Sequence, residues 1–371
     1  MKKYPLAKPY ITKAEEKEVL SVLRSGILSL GPKVAEFEKL FAKRVGRKYA
    51  CAVSSGTAGL HLAMIAAGIG SGDEVITTPF SFVASANCIM YVGAKPVFVD
   101  IDPVTYNIDP KKIEAKITKN TKAILVVHIF GQSVDVDPIL ALAKKYKLKI
   151  IEDACESINA TYKKRKVGTF GESAVFAFYP NKQMTTGEGG VIVTDNAELA
   201  MLCRSLRSQG RGEDNTWLEH TRLGFNYRLD EMSCALGLAQ LDRIDQMLAK
   251  REKVAQRYNK RLCKLKAIKA LCEVEQVRRS WFVYVVQLSD SYSKEDRDRI
   301  MRRLNKRGIG CQNYFPPIHL QPFYRRMFDY APGDFPVTER ASARTLALPF
   351  FNKLSQQQIS YVVDNLAEVL L

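Results

Sequence analysis

Between Tyr49 and Asp195 short apolar runs alternate with stretches of helical spacing, and few folds can absorb that alternation. Parallel strands need long crossovers, so the pattern is that of a mostly parallel sheet with helices on both faces. Strands are predicted at residues 50–53, 74–77, 95–99, 123–128, 149–151, 173–178 and 191–194, with helices between them that include 57–67, 81–92 and 137–146. The last two strands are joined too tightly for a helical crossover, so that pair is expected to be antiparallel. Ahead of the sheet, residues 14–24 place Val19, Leu20, Val22 and Leu23 on one side of a helix that Ser25-Gly26 ends. Gly31-Pro32 then opens a second helix with Val34, Phe37, Leu40 and Phe41 at helical spacing. After the sheet come a helix at 201–209, a loop at 210–212 and a helix from Asp230 that is predicted to run through 262. A strand at 281–288 and an Arg-rich helix at 295–307 follow. A chain of 371 residues can bury two cores, and we expect a large domain over 1–240 and a smaller one over 241–371.

Reactive residue types fall where such a sheet binds ligands. The apolar run Val175 to Phe178 stops at Pro180, and Lys182 follows in a stretch of Thr and Gly too open to form a core. A lysine held between two buried strands is costly to keep charged, and desolvation favours the neutral amine that attacks carbonyls. The run Ile150-Ile151-Glu152-Asp153 ends in a carboxylate, which belongs at the carboxyl edge of the sheet. Ala52-Val53-Ser54-Ser55-Gly56-Thr57-Ala58 reads as strand, glycine turn and helix start, whose amides and hydroxyls could cradle a phosphate. Phe80 and Phe82 form an aromatic pair just after a strand, and one of the two must belong to the core. An amine for a Schiff base, an acid for a pyridinium nitrogen, a phosphate cradle and a stacking ring are what pyridoxal phosphate needs.

Taken in order, these motifs resemble those of the nucleotide-sugar aminotransferases, the DegT/StrS group of fold-type I pyridoxal-phosphate enzymes. The phrase Tyr179-Pro180-Asn181-Lys182-Gln183-Met184-Thr185-Thr186-Gly187-Glu188-Gly189-Gly190 is especially similar to that of perosamine synthases. The likeness runs from about Tyr10 to the C-terminus and includes Ser29-Leu30-Gly31-Pro32, Gly224-Phe225-Asn226-Tyr227-Arg228-Leu229 and His319-Leu320-Gln321-Pro322. It implies an α/β fold of type I, with a mostly parallel seven-stranded sheet and a smaller C-terminal α/β domain. It also implies pyridoxal 5′-phosphate as cofactor, L-glutamate as donor, a nucleotide-linked 4-keto-6-deoxy sugar as acceptor, and a homodimer with shared active sites. GDP-perosamine formation is the most specific expectation, and amination at C3 of the sugar is the alternative.

By the same resemblance, Lys182 would carry the cofactor, since relatives with His there catalyse dehydration, and Asp153 would hold the pyridinium nitrogen. Glu156 stands where relatives often have His or Gln facing the ring oxygen. Gly56 and the amides of Thr57 and Ala58 would form the phosphate cradle, at a helix end carrying about half a positive charge. Many relatives add a serine five residues before the lysine; this chain has Ala177, so that hydrogen bond is missing or replaced. Phe82 matches the stacking ring, and Asn226 the residue that reaches a neighbouring subunit's phosphate. Arg228 and His319 match positions near the substrate, and the Gly31-Pro32 loop also lies near the sugar in relatives. His61 and His128 are expected to be structural.

The net charge of +17 raises the question of nucleic acid. The basic residues are dispersed, however: no run exceeds the four of Lys163-Lys164-Arg165-Lys166, and none is interleaved with aromatics. A DNA-binding regulator would need a helix-turn-helix or a basic arm, and neither is found. A positive field would instead favour a nucleoside diphosphate. No apolar run approaches the ~20 residues of a membrane span. Met1-Lys2-Lys3-Tyr4-Pro5 does not read as a signal peptide, and a cytoplasmic location is expected. The eight cysteines are scattered singly and read as reduced packing residues, with no metal site.

Overall fold

A computed structural model describes residues 4–212, 219–272 and 274–370; Met1 to Lys3, where the leader reading begins, lie outside the described residues. The strands up to residue 194 are β1 (Tyr49–Val53), β2 (Glu74–Thr77), β3 (Lys95–Phe98), β4 (Thr121–Val127), β5 (Lys149–Asp153), β6 (Thr161–Tyr162), β7 (Arg165–Lys166), β8 (Ser173–Ala177) and β9 (Gly190–Thr194). Seven of them form one sheet in the order β1-β9-β8-β5-β4-β2-β3. Neighbours from β8 to β3 are parallel, and β9 alone runs against both β8 and β1, with Ala177 opposite Gly190. The antiparallel pair expected from its short connection is therefore present, and the chain is an α/β protein built on a mostly parallel sheet.

Strand alternation sends β8 residues to two different cores. Phe176 and Phe178 face Phe37 and Phe41 of helix Pro32–Val45, with the Phe41 ring edge-on to both at 5.3 and 5.4 Å. Val175 faces the other way, toward helix Gly56–Ala66. A Cβ on Gly59 would come within 2.7 Å of Val175 Cγ1, so the helix can lie this close to the sheet only with glycine there. That approach sets the helix N-terminus at the carboxyl edge of β1, beside the end of β8. Farther along the sheet, Ile139 and Ala143 of helix Val136–Tyr146 cover Ile124, Val126 and Ile150.

The helix predicted to run from 230 to 262 is two, Glu231–Asp242 and Ile244–Leu262, with Arg243 between them at φ −104°, ψ 6°. The first buries Cys234, Leu238 and Leu241 in the core of the large sheet, while the second carries Val254, Tyr258 and Leu262 into a separate core. Serving both cores requires a change of axis. The strand predicted at 281–288 is also shorter. The remaining strands are β10 (Ile268–Ala270), β11 (Val277–Arg278), β12 (Tyr284–Leu288) and β13 (Thr345–Leu348). The order β10-β12-β13 makes an antiparallel sheet covered by helices Ile244–Leu262, Lys294–Lys306 and Gln356–Leu370. Tyr4 bridges to Ile309 and packs against this second core.

A third, small sheet, β11-β6-β7, carries the basic run noted above. Lys163 and Lys164 are its turn, at φ 48° and 66°, the conformation that a two-residue hairpin of the favoured twist requires. All eight cysteines are free thiols, and Cys51, Cys88, Cys203, Cys234 and Cys311 are buried, as packing residues would be. Among the described residues no helix is long and apolar enough to cross a membrane, and no cluster of His, Cys, Asp and Glu could hold a metal.

Candidate active site

The carboxyl ends of β1, β4, β5 and β8 open on a cavity of about 540 Å³, lined by Gly56, Asp153, Glu156, Lys182, Phe282 and Tyr314 among others. Asp153 is the last residue of β5. Its Oδ2 accepts a hydrogen bond from Ser85 Oγ at 2.7 Å and its Oδ1 one from the Cys155 amide at 3.2 Å, so the buried carboxylate is fixed in direction. Lys182 sits in the turn after β8, with its amide donating to Tyr179 O at 2.8 Å. Its Nζ lies 3.6 Å from Glu156 Oε1 and 4.0 Å from the centroid of the Phe282 ring. Gln183 pins the turn by donating to Glu156 O at 2.6 Å and Ser280 O at 3.1 Å. Glu156 itself receives the Phe130 amide at 2.8 Å. Burial raises its pKa above the usual carboxylate range, against the pull of Lys182 and that single amide.

The other end of the cavity is the N-terminus of helix Gly56–Ala66. Ser55 caps it and accepts the Ala58 amide at 3.0 Å, so that expected cradle donor is already satisfied within the chain. The first helical bond runs from Gly59 N to Ser55 O. The amides of Gly56 and Thr57 lie ahead of it, where a helix end offers its donors to an anion. A Cβ on Gly56 would stand 2.7 Å from Ala177 Cβ, so glycine is needed for this end to exist at all. With alanine at 177, Ser55 and Thr57 are the hydroxyl-bearing residues of the lining at that end. The aromatic pair divides as expected: Phe80 is fully buried, whereas Phe82 is 60% exposed and lines the cavity. Amine, oriented carboxylate, helix end and open ring thus fit pyridoxal phosphate. Charge does not balance within the one chain: Asp153, Glu156 and Glu188 oppose Lys182 alone in the lining.

The family model of the DegT/DnrJ/EryC1/StrS aminotransferases matches residues 9–367, nearly the whole chain. The chain belongs to that family. It is 42% identical to GDP-perosamine synthase of Caulobacter vibrioides over 346 residues, covering 93% of this chain and 92% of that one. It is 40% identical to the spore coat polysaccharide biosynthesis protein SpsC of Bacillus subtilis, covering 99% and 97%. Helicobacter pylori PseC, an aminotransferase of pseudoaminic acid biosynthesis, superposes with a TM-score of 0.94 at 31% identity over 99% of both chains. The protein is a sugar aminotransferase of polysaccharide or sugar biosynthesis, and its cofactor is pyridoxal 5′-phosphate.

This aminotransferase does not bring every expected residue to the cavity. Asn226 is exposed and pairs its backbone with Ser208, outside the lining of its own chain. Arg228 also lies outside and donates to Gln209 Oε1 at 2.6 Å. His319, expected near the substrate, is not in the lining either. A 3₁₀ turn at Ile318–Leu320 points it inward, where it is fully buried, 3.1 Å from Glu339 Oε1 and edge-on to Phe335 at 4.7 Å. Burial lowers its pKa, and it has no face on this cavity. The Gly31-Pro32 loop is likewise engaged elsewhere: Glu231 accepts the Lys33 and Val34 amides at 2.8 and 3.0 Å. His61 and His128 are structural, bonded to Tyr227 Oη at 3.3 Å and Glu152 Oε2 at 3.2 Å.

Sequence reasoning missed Phe282 and Tyr314. They lie 100 and 132 residues beyond Lys182, and only the fold returns them to it. For Phe282 the signal was Trp281-Phe282-Val283, a bulky run ahead of β12; for Tyr314 it was its place in the run up to His319 that resembles a loop near the substrate in relatives.

Proposed function

We propose that this aminotransferase moves an amino group from L-glutamate to a nucleotide-linked 4-keto-6-deoxy sugar, in the manner of a GDP-perosamine synthase. The observation that carries the reading is that Lys182 Nζ, the Asp153 carboxylate and the free end of helix Gly56–Ala66 face one cavity. Identity of 42% to GDP-perosamine synthase supports the choice of sugar.

When bound, pyridoxal phosphate supplies the electron sink that loosens the Cα–H bond of an attached amino acid. The chain's own residues do the rest. Gly56 and Thr57 would hold the phosphate, Phe82 would cover the ring, and Asp153, oriented by Ser85, would keep the pyridine nitrogen protonated. Lys182 Nζ, as the amine of the cavity, would anchor the cofactor and, once released, take and return a proton as general base and acid. Glu156, with a proton affinity raised by burial, stands beside that amine to balance its charge in either state. Phe282 and Tyr314 add aromatic surface to the lining, the Phe282 ring 4.0 Å from Lys182 Nζ. The negative lining leaves room for donors from a second chain. In a homodimer Asn226, exposed on its own chain, would reach the neighbour's phosphate, and Arg228 would meet the substrate's diphosphate or the glutamate carboxylate.

The test is a panel of GDP-, UDP- and dTDP-linked 4-keto and 3-keto deoxysugars incubated with the holoenzyme and L-glutamate. Release of 2-oxoglutarate is expected with a GDP-linked 4-keto-6-deoxy sugar. Turnover confined to 3-keto sugars would replace the proposal by its C3 alternative.

A further inference from the structure

Arg251 is among the largest fully buried side chains of the molecule, 1% exposed on helix Ile244–Leu262. Among the described residues no carboxylate pairs with it. A buried cation without a counter-charge costs several kcal/mol, and arginine escapes that cost by deprotonation less readily than any other side chain. Burial pushes its pKa down to about 10, so the guanidinium still carries its proton at neutral pH. Such a group persists where its donors do something a neutral side chain cannot.

Its donors reach two main-chain carbonyls. Nη2 donates to Lys182 O at 2.9 Å and Nη1 to Phe282 O at 3.1 Å, while the guanidinium lies 5.5 Å from the centroid of the Phe350 ring. These two carbonyls are 100 residues apart in sequence, yet they belong to the two residues in contact at the amine: the Phe282 ring is the surface against which Lys182 Nζ rests, at 4.0 Å. The planar fork of arginine spans both carbonyls in a fixed geometry, which lysine, a single flexible point donor, cannot do.

Resting on the assignment of Lys182 as the cofactor lysine, we infer that Arg251 is a positioning residue that ties the Lys182 turn to the Phe282 segment and so fixes where the amine meets the cofactor's carbonyl. The guanidinium touches neither substrate nor cofactor. It acts through the backbone of the lysine and of the ring beneath it. Met247, Val254, Tyr258 and Leu262 of the same helix are buried as it is.

The test compares the wild-type apoprotein with Arg251→Met and Arg251→Lys in two measurements. The first is the rate at which added pyridoxal 5′-phosphate becomes covalently attached, read as a borohydride-stable mass increment mapped to Lys182. The second is equilibrium affinity for 4′-deoxypyridoxine 5′-phosphate, which has no carbonyl and reports the cavity without the lysine reaction. Arg251→Met should slow capture at least tenfold with affinity for the analogue within threefold of wild type, and Arg251→Lys should recover part of the rate. Unchanged capture, or capture and analogue affinity falling together, overturns the inference. Should Arg251→Met not fold, Arg251→Lys decides alone: slower capture at unchanged analogue affinity supports the tie, and a wild-type capture rate removes it. Failure of the wild type itself to attach the cofactor at Lys182 would instead overturn the site assignment.

Discussion

Two buried glutamates stand four residues apart at the end of β5, and they titrate in opposite directions. Both lose hydration, which by itself raises a carboxyl pKa. Glu152 recovers that loss: it accepts the Gly168, Phe170 and Gly171 amides at 2.7, 2.7 and 2.9 Å and lies 3.2 Å from His128 Nε2. His128 Nδ1 accepts the Val134 amide at 3.2 Å, so the ring proton sits on Nε2 and is donated to the carboxylate. These partners outweigh burial and bring Glu152 below the usual range. Glu156 has one amide and the Lys182 ammonium at 3.6 Å, with Asp153 nearby as a second negative charge, and burial prevails. Burial alone therefore does not sort structural from functional acids. The saturated carboxylate holds the fold together, and the one left short of donors is the one facing the cavity.

The comparison is tested hardest at the amine. Lys182→Ala removes the one cation paired with Glu156 among the described residues and the group proposed to move protons, so turnover should fall by ~10⁴-fold, roughly 5.5 kcal/mol of barrier. The fold should survive, since the side chain contributes little packing. Single-turnover assays with L-glutamate decide this, and residual activity within tenfold of wild type would refute the role. Glu152→Ala should do the reverse. It strands the buried Gly168 amide, the partly buried Phe170 and Gly171 amides and the His128 N–H, an expected cost of about 3–5 kcal/mol in urea unfolding. Turnover per folded molecule should stay close to wild type. A stable Glu152→Ala protein with impaired turnover would mean that the two acids have been assigned to the wrong classes.

Much of this contrast could be read from the sequence, and the limits have physical causes. Lys182 and Asp153 were legible because each follows an apolar strand directly, and local order alone puts strand ends at the ligand edge of a parallel sheet. Phe80 and Phe82 were legible as a pair but not individually, since alternation assigns one inward without saying which. The inward turn of His319 depends on Phe335 and Glu339, which lie beyond it in the chain and give no local sign. The count of donors around Glu152 and Glu156 was invisible for the same reason: Phe130, Gly168 and Gly171 reach them only through the fold. Arg251 could not be singled out by spacing, because Lys250 stands three residues from Met247 and four from Val254, and only the fold shows which of the two is buried. Nor could the break at Arg243, because nothing local shows that the helix must serve two cores.

The finest test of the comparison is the pH dependence of Glu156→Gln, and its sign follows from the direction of the shift. In the folded chain Glu156 binds its proton more tightly than in the unfolded chain. Its contribution to stability is then complete below the unfolded pKa and is lost as pH rises through the folded one. Glutamine keeps an oxygen for the Phe130 amide and carries no charge at any pH, so it does not suffer this loss. The thermal midpoint of the apoprotein, variant minus wild type, should therefore be more positive at pH 8 than at pH 4, with Lys182 limiting the size of the change. The same substitution at Glu152 should give the opposite trend. That carboxylate stabilises the fold when ionised, so its replacement should cost more at pH 8 than at pH 4. Parallel trends for the two variants would show that the donor count around each carboxylate does not set its behaviour. A divergence of the expected sign would tie the open valence of Glu156 to its place beside the amine.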